Sequence, residues 1–111
     1  MKGVDTNILI RFLTCDDREQ AKKIYKIFKD AESEKNEFFV PLPVVMELIW
    51  VLESVYEISR TEILESISDL LLMPVLKFEH QTALQQFLCS AQENRCDLSD
   101  LLIAHAAEIN G

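Results

Sequence analysis

The sequence predicts an α/β domain in which short parallel strands are covered by helices. Two observations carry this. Three runs with strand character, at Met1-Lys2-Gly3-Val4, Phe38-Phe39-Val40 and Val75-Leu76-Lys77-Phe78, alternate with stretches whose apolar residues recur at helical spacing, and such alternation is the signature of a parallel sheet with crossover helices. The chain also has 111 residues, 49% of them hydrophobic, and only two glycines, which describes one compact domain over residues 1–111 with a real core and no disordered arm.

In order, the first strand runs into Asp5, and Ile8, Leu9, Phe12 and Leu13 predict a short helix with Asn7 and Arg11 together on another face. Asp16, with Glu19 three residues on, reads as the start of a second helix whose Ala21, Ile24, Ile27, Phe28 and Ala31 reach to about Glu34. Lys22, Lys23, Lys26 and Lys29 read as its solvated face, and the mixed charges around them favour that over the alternative of a dedicated RNA-binding stripe. After the second strand, Pro43 suits the first turn of a helix carrying Val44 to Leu52, apolar nearly all round and so predicted to be buried. Ser59 and Glu62 make a capping box for the next helix, with the stripe Ile63, Leu64, Ile67, Leu70, Leu71 and a stop at Pro74. Beyond the third strand, Leu84, Phe87, Leu88 and Ala91 predict a helix over about 80–93. Asp97 is the natural N-cap of a last helix, predicted to be buried because His105 is its one polar residue from Leu101 to Ala107. His105 itself reads as a core-edge histidine, and Gly111 as the residue closing the helix.

The charge is −8, from 19 acidic and 11 basic side chains, which argues against a binder of phosphate backbones through a basic face. It leaves room for a nucleic-acid enzyme whose acids gather round a divalent cation. Apolar runs fall short of the roughly 18 residues that span a bilayer, and there is no secretory leader pattern, so the expectation is a soluble, cytoplasmic protein. Cys15, Cys89 and Cys96 are an odd count without a C-x-x-C pair, and read as reduced thiols.

Three acids stand out. Asp5 follows a strand, where ligands of open α/β sheets collect, although Asp is equally suited to capping the helix that starts near Thr6. Glu47 is the one charge of an apolar helix; buried there, it would need a cleft, a cation or a metal. Asp100 falls in the first turn of the last helix, near its positive end, where Asp97 already supplies a cap. Brought together, these carboxylates would repel unless a cation lay between them, and hard oxygen ligands suit Mg²⁺ or Mn²⁺.

On Val4-Asp5-Thr6-Asn7-Ile8-Leu9, Pro41-Leu42-Pro43-Val44-Val45-Met46-Glu47-Leu48-Ile49-Trp50-Val51-Leu52, Ser59-Arg60 and Asp97-Leu98-Ser99-Asp100-Leu101-Leu102-Ile103-Ala104, the chain resembles the PIN-domain ribonucleases, and among them the VapC-like toxins of toxin–antitoxin pairs. The resemblance implies a PIN-like three-layer sandwich, its mostly parallel sheet covered by helices on both faces. It implies a metal-dependent endoribonuclease in which Asp5, Glu47 and Asp100 are catalytic and bind Mg²⁺ or Mn²⁺, with Asp97 auxiliary. Thr6, Asn7 and Arg11 would orient the site or the substrate. The partners it implies are RNA, an antitoxin protein and a second copy in a homodimer. Members of the family continue beyond the position of Gly111 into a further strand, with a fourth acid, and a last helix. Against that pattern the sequence reads as lacking the C-terminal strand and helix. An alternative function follows: a catalytically impaired PIN-like module that binds an antitoxin or another protein. A phosphatase using Asp5 as phospho-acceptor is disfavoured, because Asn7 stands where a proton-donating acid would be required.

Overall fold

In the computed structural model, residues 2–14, 17–93 and 97–110 are described, with the backbone alone given for Lys2, Glu93, Ser99 and residues 108–110. The order is β1 (Lys2–Gly3), α1 (Thr6–Thr14), α2 (Arg18–Ser33), β2 (Phe38–Val40), α3 (Leu42–Ser54), α4 (Arg60–Leu71), β3 (Leu76–Phe78), α5 (Gln81–Glu93) and α6 (Leu98–Asn110). The alternation read from the sequence is the alternation of the fold. The strands form one sheet in the order β1-β2-β3, with both pairings parallel. Lys2 stands opposite Phe38, and Phe38 opposite Leu76. The ladder is extended at both ends, by Phe38 N–H to Val75 O at 2.7 Å and by Val4 N–H to Phe39 O at 2.9 Å.

Helix α2 starts one residue later than the Asp16 capping box predicts. Asp17 is the N-cap, its Oδ1 accepting from the amides of Glu19 at 3.0 Å and Gln20 at 3.2 Å. Asp16 lies outside the described residues, as do Cys15, Cys96 and Gly111. The described thiol, Cys89, is free and exposed. The α2 lysines are exposed as expected, while Ile24, Phe28 and Ala31 face inward. Phe28 meets Phe12 of α1 and Phe38 of β2 edge-on, with ring centroids 5.3 and 5.7 Å away, so one aromatic row joins two helices to the sheet. With almost no glycine available, Lys35 takes the left-handed conformation that ends α2, at φ 59°. Asn36 N–H reaches back to Ala31 O at 2.8 Å and Lys35 N–H to Glu32 O at 3.2 Å, closing the helix by the Schellman pattern.

Two helices differ from expectation in the same way. Helix α3 is not buried all round: Val45, Leu48, Ile49 and Leu52 pack inward, whereas Pro43, Glu47, Trp50 and Ser54 make an exposed stripe. Helix α6 buries Leu98, Leu102 and Ala106 and exposes Asp100, Ile103, Ala104 and Ala107. An apolar sequence on both faces hides the helical period, so composition alone overstates burial. His105 is half-buried at the core's edge as expected, with Nε2 2.8 Å from Ser90 Oγ on α5.

Candidate functional site

Because the three strands run in one direction, the residues that follow them share one end of the sheet. Asp5 follows β1, the Pro41-Leu42 step into α3 follows β2, and Glu79 follows β3. Asp5 is exposed, and its Oδ1 accepts the Ile8 amide at 2.9 Å. It therefore caps α1 and presents the rest of its carboxylate to solvent, so the two readings of this residue are compatible. Behind it, Thr6 is buried, at 5% exposure. Asn7 and Arg11 are exposed on α1, and Arg11, with Lys23, borders an apolar cleft of about 400 Å³ floored by Val4, Ile8, Phe28 and Phe38.

Glu47 corrects the premise that singled it out. It is exposed on the outer stripe of α3, so no burial penalty compels it to find a cation. Asp100 is likewise exposed, in the first turn of α6. Neither carboxylate enters an ion pair or a cap bond among the described residues. Asp97 does the capping that the sequence predicts for it, its Oδ1 accepting the Asp100 amide at 3.2 Å and its carbonyl the Leu101 amide at 3.0 Å. Helix α3 packs against both α1 and α6, which places the bearers of Asp5, Glu47 and Asp100 side by side. Their side chains do not converge: among the described residues, no three His, Cys, Asp or Glu side chains are grouped so as to hold a metal ion. Exposed like charges gain nothing by approaching one another, and each of these is well solvated where it stands. In chemistry the donors suit Mg²⁺ or Mn²⁺, being hard carboxylate oxygens; in position they make no closed ligand set among the described residues.

Two further acids escaped the sequence reading. Glu53, on α3, is pushed above the usual carboxylate range by partial burial and by the Asp97 carboxylate, with the Arg60 guanidinium pulling the other way. Arg60 in turn donates through Nη2 to Ala91 O at 3.1 Å, one of the carbonyls in the last turn of α5. Glu79 is half-buried, and its Oε1 accepts the Leu42 amide at the start of α3, at 2.9 Å across 37 residues of sequence. The available signal for Glu79 was indirect: Pro41 and Leu42 bring no acceptor of their own, so the helix start had to find one elsewhere.

The small parallel sheet with helices in this order is consistent with a PIN domain, and the chain belongs to that family, which matches it over residues 3–111. Among individual proteins it is similar to the VapC ribonuclease of Aquifex aeolicus (strain VF5), with 32% identity over 71 residues, or 64% of this chain. The match covers 52% of that relative, so the chain spans about half the length of the curated protein it resembles.

Proposed function

We propose that this PIN domain is a VapC-type endoribonuclease that cleaves RNA with water as nucleophile and without a covalent intermediate. The observation that carries the reading is the exposed, unengaged state of Glu47 and Asp100 on helices packed side by side, with Asp5 capping α1, which packs against α3 as well. Asp5, Glu47 and Asp100, with Asp97 auxiliary, would hold Mg²⁺ or Mn²⁺, which when bound supplies a Lewis acid for the phosphodiester and lowers the pKa of water. The chain's own residues do the rest. Asp5 keeps one oxygen on its helix and offers the other, Thr6 or Asn7 would orient that carboxylate or a metal-bound water, and Arg11 would attract a substrate phosphate.

Partners follow the same reading: an RNA substrate, an antitoxin protein and a second copy of the chain in the cytoplasm. Trp50 and Ile103, exposed to 60% and 48% on the adjacent helices α3 and α6, support an apolar face between copies. No described helix is long and apolar enough to cross a membrane. The unconverged acids favour one second reading, a PIN module that binds a protein partner without catalysis.

The test is cleavage of a structured RNA in Mg²⁺ or Mn²⁺ by wild type, Asp5→Asn and Asp100→Asn. Asparagine is as good an N-cap as aspartate, so Asp5→Asn removes charge while keeping the Ile8 bond. Each variant is expected to keep its fold and to lose at least about 100-fold in rate, the scale of losing one electrostatic partner of the reacting centre. Full activity in either would overturn the assignment.

A further inference from the structure

The start of α3 can be accounted for amide by amide. A helix leaves its first four N–H groups without intrahelical partners. Pro41 and Pro43 have no N–H, and the amide of Val44 turns back to Pro41 O at 3.0 Å. That leaves Leu42. No acid lies in the first turn of α3, and its N-cap, Pro41, makes no side-chain bond, yet Leu42 N–H is satisfied by Glu79 Oε1 at 2.9 Å. The acceptor is a carboxylate at the positive end of a helix, where a charged acceptor is stronger than a neutral one. Glu79 is itself anchored, because its own amide donates to Val40 O at 2.9 Å and so continues the β2–β3 ladder.

We infer that Glu79 is a positioning residue that sets where α3 begins on the end of the sheet and, through that helix, where Glu47 stands relative to Asp5. The inference rests on the reading of Glu47 as a site residue. Its geometry does not: one side chain ties the rigid end of β3 to the first amide of the helix, and Glu47 follows little more than one turn later. Glu79 acts through Leu42 and not on the substrate.

The experiment uses the full chain as wild type, Glu79→Gln, Glu79→Ala and Glu79→Asp. Amide hydrogen exchange is followed over residues 42–48, and Mn²⁺ is titrated calorimetrically. Glutamine keeps an acceptor of the same reach, alanine removes it, and aspartate keeps the charge but shortens the reach. Glu79→Ala and Glu79→Asp are expected to speed exchange at the start of α3 and to weaken Mn²⁺ binding by about 10-fold, the scale seen for partners that orient ligands. Glu79→Gln restores both, and should alanine prevent folding, aspartate carries the same comparison. Wild-type exchange in Glu79→Ala or Glu79→Asp overturns the inference. So does a Glu79→Gln protein with normal exchange and lost Mn²⁺ binding, because Glu79 would then be a ligand. If wild type takes up no Mn²⁺, the reading of Glu47 fails, while the exchange data still decide the role of Glu79.

Discussion

Helices α3 and α4 are built to nearly the same inner plan and present opposite outer faces. Each buries four aliphatic residues, Val45, Leu48, Ile49 and Leu52 in α3 and Ile63, Leu64, Ile67 and Leu70 in α4. The outer face of α4 is polar, with Thr61, Glu62, Glu65, Ser68 and Asp69 exposed. The outer face of α3 sets Trp50 beside Glu47 and Pro43. In a protein with eight more acidic than basic side chains, a tryptophan left in solvent between the exposed Glu47 and Glu53 sets the outer face of α3 apart from the ordinary wet face of α4. The difference teaches that inner faces build this fold and that the outer face of α3 carries what is particular to it.

The largest expected effects test the claim that the two inner faces are equivalent. Leu48→Ala and Ile63→Ala, at positions exposed by 1% and 0%, should each cost about 2–5 kcal/mol of unfolding free energy in urea melts. On the outer face, Trp50→Ala should change the stability of the monomer by less than about 0.5 kcal/mol, the range of surface substitutions away from caps and buried networks. A loss comparable to Leu48→Ala would break the comparison, since Trp50 would then be part of a core. If the loss grows with protein concentration, the face lies between two copies.

A smaller effect sharpens the contrast at the far end of α3. Folding raises the Glu53 carboxyl above its ordinary value of 4.5, chiefly through burial and then through Asp97. A raised acid favours the folded state fully below its unfolded value, and that contribution is lost as pH climbs through the folded value. Melting temperatures of Glu53→Gln and wild type should therefore converge near pH 4 and separate toward pH 7, with the variant higher. Parallel curves would mean that folding does not raise the Glu53 carboxyl.

The inner faces were legible because polar residues punctuate them. Ser59 marks the start of α4, where its Oγ accepts the Glu62 amide at 3.3 Å, and the exposed residues between Ile63, Leu64, Ile67 and Leu70 display the period. Helices α3 and α6 were placed correctly but read as too deeply buried, because residues such as Trp50 and Ile103 erase that period from the outer face. Of the site, the positions of Asp5, Asp97 and Asp100 at helix starts were visible as cap chemistry. The exposure of Glu47 was not, and neither was Glu79, whose partner lies 37 residues away and was implied solely by the lack of a local acceptor at Pro41 and Leu42. Long-range capping leaves no periodic trace in a sequence.

The proposal that Asp5 before α1, Glu47 on α3 and Asp100 on α6 act as one metal centre is tested most directly by calorimetric titration of Mn²⁺ into wild type and Glu47→Gln. Because Glu47 is exposed and bonded to no other described residue, its replacement leaves packing untouched and isolates its role as a donor. Saturable binding by wild type at millimolar Mn²⁺ or below, weakened at least about 10-fold in Glu47→Gln, is the predicted result. Equal binding by the two proteins, or none by either, would contradict it.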